Sequence, residues 1–169
     1  MKYAFLFVLL LLCSGVLLFQ EGFRFNATAS MPRGIYRLIP GAPERGDPVS
    51  FCLQNTSFAP LALDRGYLRP GTCPGGLQPL FKVVAGVPGD DVALAPDGIR
   101  INGRLQPDSR ACGKDSHGRL LPPVALHPGR IPSGMALVLS DDHPGGFDSR
   151  YFGLVPLDSL QQVKPIKLF

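Results

Sequence analysis

The sequence predicts a mostly β fold behind one N-terminal transmembrane helix. Three observations support this prediction: an apolar run at the N-terminus, a high content of glycine and proline, and several short runs of strand length. The chain has 20 Gly and 18 Pro among 169 residues, which excludes a helical bundle or a coiled coil because both residue types break helices. Hydrophobic residues make up 45 % of the chain, which excludes a disordered protein.

The apolar run covers residues 3–19 and follows Lys2. At about 1.5 Å per helical residue, it is just long enough to cross a hydrocarbon core of roughly 30 Å. We interpret residues 1–25 as an uncleaved membrane anchor. A cleaved secretory signal is the alternative, because residues 27–29 (ATA) fit a cleavage site, although aromatic and charged residues separate them from the apolar run.

Residues 26–169 are predicted to form a β-rich domain. Runs of strand length lie at residues 49–53, 80–87, 136–140 and 163–169, and residues 98–103 end in the hairpin signal Asn-Gly. Residues 105–134 are polar, aperiodic and rich in Pro and Gly, so we expect a loop-rich excursion from the sheet. No stretch after the anchor sustains a helical period long enough to predict a helix.

The charges and the cysteines restrict the function and the compartment. The net charge of +4 is mild and the basic residues are scattered, so we expect no nucleic-acid partner. Cys52 and Cys73 have no His at zinc-finger spacing and belong to no C-x-x-C pair, so we expect no metal site and no other cofactor. We favour a disulfide between them in an oxidising compartment, with two free buried thiols as the alternative. Such a disulfide would place the β-rich domain on the far side of the membrane.

Ser30 and Lys82 suggest a catalytic chemistry. Ser30 lies in the segment NATASMPRGIY (residues 26–36), and Lys82 stands at the head of an otherwise uncharged β-run. Burial lowers the pKa of a lysine, and a neutral amine can act as general base for a serine hydroxyl. Taken singly, each residue has a simpler interpretation, Ser30 as a loop serine and Lys82 as a side chain whose ammonium reaches water.

Four short segments, in this order, resemble the type I signal peptidase family. They are SMPRGIY (residues 30–36), RGD (45–47), KVVAGVPGD (82–90) and FDSRYFG (147–153). The hairpin at residues 98–103 is also similar to a strand pair of that family. Residues 65–76 and Cys52 resemble in particular its TraF-type branch, the peptidases that mature pilin precursors in conjugative transfer systems. The resemblance runs from the anchor to the C-terminus and is poorest over residues 105–134.

The resemblance implies a membrane-anchored serine endopeptidase with Ser30 as nucleophile and Lys82 as general base. It also implies an oxyanion hole formed by the backbone N–H of Ser30 and the hydroxyl of Thr28. Asp148 and Arg150 would form an ion pair that braces the active-site strands, and their spacing would put them on one face of a strand.

One position departs from the family pattern. Two residues before the aspartate of the last segment, the family usually has a serine that hydrogen-bonds the catalytic lysine, and here that residue is Gly146. Another group must therefore orient Lys82, and Ser149, Ser140 or a water molecule remain as alternatives.

The substrate is expected to bind as an added β-strand, with small residues before the cut. Met31, Ile35 and Phe81 lie next to the dyad and are the expected apolar lining of its pocket. In the TraF-type branch, the N-terminus of the substrate itself can resolve the acyl-enzyme and give a circular pilin.

The anchor, the cysteines and the resemblance together predict the location and the partners of the protein. The protein would be a single-pass protein of the inner (cytoplasmic) membrane with its catalytic domain on the periplasmic side. Its partners would be a pilin-like precursor polypeptide, the membrane, and the conjugation or secretion machinery. The alternatives are a general type I signal peptidase and a non-catalytic anchored scaffold of that machinery.

Overall fold

A computed structural model describes residues 2–54, 58–121, 125–141 and 143–169. Helix α1 (Lys2–Gln20) is long and apolar enough to cross a membrane, and none of its side chains is buried. The guanidinium of Arg24 stacks over the ring of Phe19 at 3.9 Å, next to the point where α1 leads into the first strand. The N-terminal run thus forms the predicted helix.

The body that follows α1 consists mainly of strands. In chain order they are β1 (Phe23–Asn26), β2 (Gly34–Leu38), β3 (Pro48–Phe51), β4 (Leu80–Gly86), β5 (Asp91–Ala95), β6 (Gly98–Ile101), β7 (Arg104–Leu105), β8 (Gly129–Arg130), β9 (Met135–Leu139), β10 (Val155–Pro156) and β11 (Gln161–Leu168). The larger sheet has the order β1-β2-β11-β3-β4-β9-β10, and the smaller has the order β7-β6-β5-β8. The predicted β-rich fold is confirmed.

Strand β11 connects the two parts of the larger sheet. It pairs antiparallel with β2 on one side, where Val163 lies opposite Leu38, and with β3 on the other, where Gln161 lies opposite Ser50. β3 in turn pairs with β4, and Val49 lies opposite Lys82. The first strands of the chain therefore reach the central ones through a strand near its C-terminal end.

The smaller sheet contains the predicted hairpin. Asn102 and Gly103 have φ angles of 50° and 79° and connect β6 to β7, so both central turn residues adopt the positive φ that an Asn-Gly hairpin requires. The described part of residues 105–134 returns to this sheet where Arg130 of β8 lies opposite Asp91 of β5.

The main hydrophobic core lies against the larger sheet and includes a disulfide. Cys52 and Cys73 are bonded, with their Cα atoms 5.5 Å apart, and Cys73 is buried in this core. Helix α2 (Ala59–Asp64) lies in the segment between them and buries Ala59 and Ala62. The predicted disulfide is confirmed.

Two short helices follow the anchor that the sequence analysis did not predict. α2 has six residues, and α3 (Ser149–Phe152) has four, so neither is long enough to show a helical period in the sequence. Asp148 and Arg150 consequently do not share a strand face. Asp148 is the N-cap of α3, and its carboxylate accepts a hydrogen bond from the backbone N–H of Arg150.

Candidate active site

Ser30 and Lys82 line the same cavity. Ser30 lies in the loop between β1 and β2, whereas Lys82 lies in the middle of β4. The cavity has a volume of about 160 Å³ and is also lined by Thr28, Phe81 and Gly146. The loop thus brings the serine hydroxyl to the strand that carries the lysine.

Asn26 holds the Ser30 loop in its shape. This buried side chain donates hydrogen bonds through its amide to the carbonyls of Thr28, Met31 and Pro32, at 3.1 to 3.2 Å. Its Oδ1 accepts from the backbone N–H of Thr28 at 3.0 Å and from the Thr28 hydroxyl at 2.7 Å. The sequence analysis missed this residue, although an Asn at the end of a strand, before a Thr two positions later, is typical of a side-chain-stabilised turn.

The Ser30 hydroxyl has two neighbours within hydrogen-bond distance. Its Oγ lies 3.1 Å from the carbonyl of Phe81 and 2.8 Å from the hydroxyl of Thr28. The Thr28 hydroxyl donates to Asn26 Oδ1, and the single proton of Ser30 Oγ can be directed either to the carbonyl of Phe81 or to the hydroxyl of Thr28. In the described part of the chain, Ser30 Oγ is not hydrogen-bonded to Lys82 Nζ, but it contacts the residue just before that lysine.

Lys82 is 2 % exposed, and its Nζ donates a hydrogen bond to Ser140 Oγ at 2.8 Å. Burial is the main reason that its pKa falls from the ordinary value of 10.5 to about 8; the charge of Asp148 opposes this shift and that of Arg150 adds to it. Of the alternatives for the group that orients Lys82, Ser140 is the one in contact. Ser149 accepts instead from the backbone N–H of Val138 at 3.0 Å.

A second buried cation lies behind this cavity. The guanidinium of Arg150 forms an ion pair with Asp148 at 2.7 Å, and the two side chains are 1 % and 0 % exposed. Arg150 also donates to the carbonyls of Asp108, Arg110, Pro144 and Gly146, at 2.8 to 3.1 Å. Burial lowers the pKa of Arg150, but the hydrogen bond and the charge of Asp148 outweigh that effect, so its pKa is raised.

The predicted pocket residues take different places. Ile35 and Phe81 line an apolar cavity of about 590 Å³ that extends to Leu18 and Phe19 at the end of α1. Met31 is instead 4 % exposed and packs in a small hydrophobic cluster that includes Phe81. Met31 therefore does not line this cavity, and it belongs to the same hydrophobic cluster as Phe81, which does.

Two larger cavities border the Ser30/Lys82 cavity. The apolar cavity shares Gln78, Pro79 and Phe81 with it, and a third cavity, of about 440 Å³, shares five other residues. These five are Tyr67, His143, Gly145, Gly146 and Phe147. The Ser30/Lys82 cavity thus adjoins two larger cavities through two separate sets of residues. Within the described ranges, no group of three or more His, Cys, Asp or Glu side chains could hold a metal ion.

Comparison with known proteins places the chain in a family. The family model described as "Signal peptidase, peptidase S26" matches residues 1–165. The chain belongs to this peptidase family. This signal peptidase family member is 37 % identical to "Conjugal transfer protein TraF" of Agrobacterium tumefaciens (strain 15955) over 151 residues, which are 88 % of this chain and 84 % of the relative. It is 35 % identical to "Plasmid transfer protein TraF" of Escherichia coli over 145 residues, or 86 % of this chain and 82 % of the relative.

The family match and the two relatives confirm the predicted resemblance to TraF-type conjugative transfer proteins of the signal peptidase family. Among solved structures, a crystal structure of a signal peptidase I from Enterococcus faecalis V583 matches this family member with a TM-score of 0.43 and 24 % sequence identity. The match covers 75 % of this chain and 99 % of that one.

Proposed function

We propose that this peptidase-family protein is a membrane-anchored serine endopeptidase, with Ser30 as nucleophile and Lys82 as general base. The observation that carries the proposal is a buried lysine, with a pKa lowered to about 8, in the same cavity as a serine hydroxyl. A base with a pKa near neutral pH is partly unprotonated there, and a neutral amine can take the proton of a serine.

The proposed reaction uses Ser30, Lys82 and Thr28 in turn. As Ser30 Oγ attacks the peptide carbonyl, its proton moves to the Lys82 amine and the carbonyl oxygen becomes an oxyanion. The N–H of Ser30 and the hydroxyl of Thr28 stabilise that oxyanion, for which the Thr28 proton turns away from Asn26. The Lys82 ammonium then protonates the leaving amine, and the C–N bond breaks to leave an acyl-enzyme. Water or a second amine attacks the ester and releases Ser30.

The neighbouring cavities supply room for a chain on both sides of the cut. The apolar cavity borders the end of α1, so it suits the residues before the bond in a precursor that is itself inserted in the membrane. The third cavity borders the Ser30/Lys82 cavity through a different set of residues and suits the leaving segment or an incoming amine. An endopeptidase needs both, whereas a scaffold needs neither.

The names of the two relatives, a conjugal and a plasmid transfer protein, support the conjugation machinery as partner. The resemblance of the sequence to the pilin-maturing branch supports a pilin-like precursor as substrate. The disulfide favours an oxidising compartment, which supports a domain in the periplasm anchored in the inner membrane.

The test is co-expression with the conjugative pilin precursor, followed by mass spectrometry of the pilin. Wild type should convert the precursor, whereas Ser30→Ala and Lys82→Ala should leave it intact while the variants stay folded in the membrane. The exposed Lys164→Ala is the matched control and should cleave like wild type. Conversion by Ser30→Ala would overturn the proposal.

The same mass spectra distinguish water from an amine as the nucleophile that attacks the acyl-enzyme. We propose that the substrate's own α-amine does so, because an amine held in the third cavity has a high effective concentration relative to water. The product would then be lighter than the hydrolysed pilin by one water and would have no free α-amine. A linear product with a free carboxylate would reject cyclisation but leave the Ser30/Lys82 peptidase intact.

A further inference from the structure

We propose that Ser140 positions Lys82 for catalysis, and that residue 146 is a glycine because Ser140 occupies the space of its side chain. The hydroxyl that the family pattern supplies from position 146 would thus come from position 140. The inference rests on the proposed Ser30/Lys82 function and assigns a positioning residue for that reaction.

The first observation is a pair of contacts at the end of β9. Ser140 Oγ accepts a hydrogen bond from Lys82 Nζ at 2.8 Å, and the backbone N–H of the next residue, Asp141, donates to the carbonyl of Ser30 at 2.8 Å. Ser140 therefore holds Lys82 through its side chain, and the backbone of Asp141 holds the backbone of Ser30. The N–H of Ser140 donates to Asp148 at 3.0 Å, which connects this segment to the buried ion pair.

The second observation is the lack of space at Gly146. A Cβ atom placed there would lie 1.9 Å from Ser140 Oγ and 2.5 Å from Ser140 Cβ, closer than real Cβ atoms approach their neighbours. Gly146 is not among the glycines with a positive φ, so the backbone conformation does not require it. Ser140 and a serine at position 146 therefore exclude each other, and either one alone can fill the volume beside Lys82.

The contact also suits the chemistry. For Lys82 to take the proton of Ser30, the lone pair of Nζ must face that hydroxyl. An ammonium and a neutral amine both have N–H groups, so Lys82 can donate to Ser140 before and after the proton transfer. Holding one N–H in this way leaves two of the three staggered positions about the Cε–Nζ bond for the lone pair, and therefore restricts the rotation of the amine.

The test uses the full chain in detergent and a quenched fluorescent peptide with Ala at the first and third positions before the intended cut. For Ser140→Ala we expect kcat to fall by about 10- to 100-fold, with KM little changed, because the base is misoriented. The loss should persist above pH 8, since more neutral amine does not restore its orientation. Ser109→Ala is the matched control, because Ser109, like Ser140, is a buried serine whose hydroxyl is hydrogen-bonded. The partners of Ser109 are one backbone N–H and one backbone carbonyl. It should lower the melting temperature and keep the pH–rate profile of wild type.

An exchange of the two positions separates positioning from packing. Gly146→Ser alone should be inactive because of the clash, and Ser140→Gly alone should be slow because the hydroxyl is missing. The double variant Ser140→Gly/Gly146→Ser should recover to within about threefold of wild type if it again places one hydroxyl beside Lys82. A double variant that folds but is no faster than Ser140→Gly would overturn the inference, as would a Ser140→Ala enzyme with the rate of wild type.

A measurement without substrate keeps this inference distinct from the proposed function. Nitrogen-15 labelling of lysine allows the Lys82 Nζ signal to be identified by its loss in Lys82→Ala and titrated with pH. Ser140→Ala should shift that signal and its midpoint, whereas Ser109→Ala should not. If wild type fails to cleave but the signal shifts, the proposed function fails and the contact stands. An unchanged signal overturns the inference whether or not the enzyme is active.

Discussion

Two buried cations lie in neighbouring regions of this protein, and they are held in opposite ways. Lys82 is 2 % exposed and Arg150 is 1 % exposed, so water solvates neither. Arg150 has the carboxylate of Asp148 and several backbone carbonyls as partners. Among the described contacts, Lys82 Nζ bonds one hydroxyl, that of Ser140. The pKa of Arg150 is raised and that of Lys82 is lowered.

The difference shows that burial alone does not decide the charge of a basic group. Both side chains are desolvated, and the partners decide whether the proton stays. The charge of Asp148 is satisfied by Arg150 at 2.7 Å and only partly offsets the desolvation of Lys82. One cation therefore suits a structural role and the other a chemical one.

The largest expected effect comes from placing at position 82 a guanidinium, the group that Arg150 carries. Lys82→Arg should reduce cleavage by at least about 10³-fold, because a guanidinium does not lose its proton at working pH and cannot act as a base. Product masses from the co-expression assay measure the loss, with Lys164→Arg as a control for the same exchange at an exposed position. Cleavage by Lys82→Arg at more than a tenth of the wild-type rate would contradict the general-base role.

The next effect concerns the region around Arg150. Arg150→Met should lower the free energy of unfolding by about 3 to 5 kcal/mol, because it leaves the buried carboxylate of Asp148 without its partner. Arg100→Met is the control, since its ion pair with Asp97 is exposed and should contribute less than about 1 kcal/mol. Urea unfolding of the two variants gives the comparison. A loss at Arg150 no larger than at Arg100 would show that the buried pair does not stabilise the fold.

The smallest effect is the dependence of stability on pH. Since the pKa of Lys82 is lowered on folding from 10.5 to about 8, the unfolded chain binds more protons between these values, and stability should rise as pH increases through that window. Below pH 8 the lowered pKa of Lys82 costs its full amount of folding stability, which is on the order of 3 kcal/mol. Lys82→Met should remove this rise and be more stable than wild type at neutral pH. Wild-type activity should increase with pH through about 8, where half of the Lys82 amine is neutral, and level off roughly one pH unit higher.

The disulfide provides the control for that experiment. Reducing the Cys52–Cys73 bond should lower stability by about 3 kcal/mol through the entropy of the opened loop, by an amount that is the same in Lys82→Met as in wild type. If the free energy of unfolding depends on pH equally in wild type and in Lys82→Met, groups other than Lys82 cause the rise in stability above pH 8.

The sequence allowed the β-rich fold, the anchor helix and the disulfide to be predicted, because each depends on local composition or on few candidate partners. It also placed Ser30 and Lys82 together, through ordered motifs rather than through geometry. It could not show that Ser140 approaches Lys82, since two residues 58 positions apart meet only through the pairing of β4 with β9. The short helix α3 was missed for a different reason, because a single turn capped by Asp148 has no periodicity to detect.

The position of β11 in the larger sheet has a consequence for the timing of activity. This strand follows every other strand along the chain, yet it lies between β2, beside the Ser30 loop, and β3, the neighbour of β4. Pairings between segments so distant in sequence form slowly, because closing the long loop between them costs entropy. Until β11 has paired with both β2 and β3, the strands that flank the Ser30 loop and the strand that bears Lys82 do not belong to one sheet. We therefore expect Ser30 and Lys82 to come together only after β11 has paired.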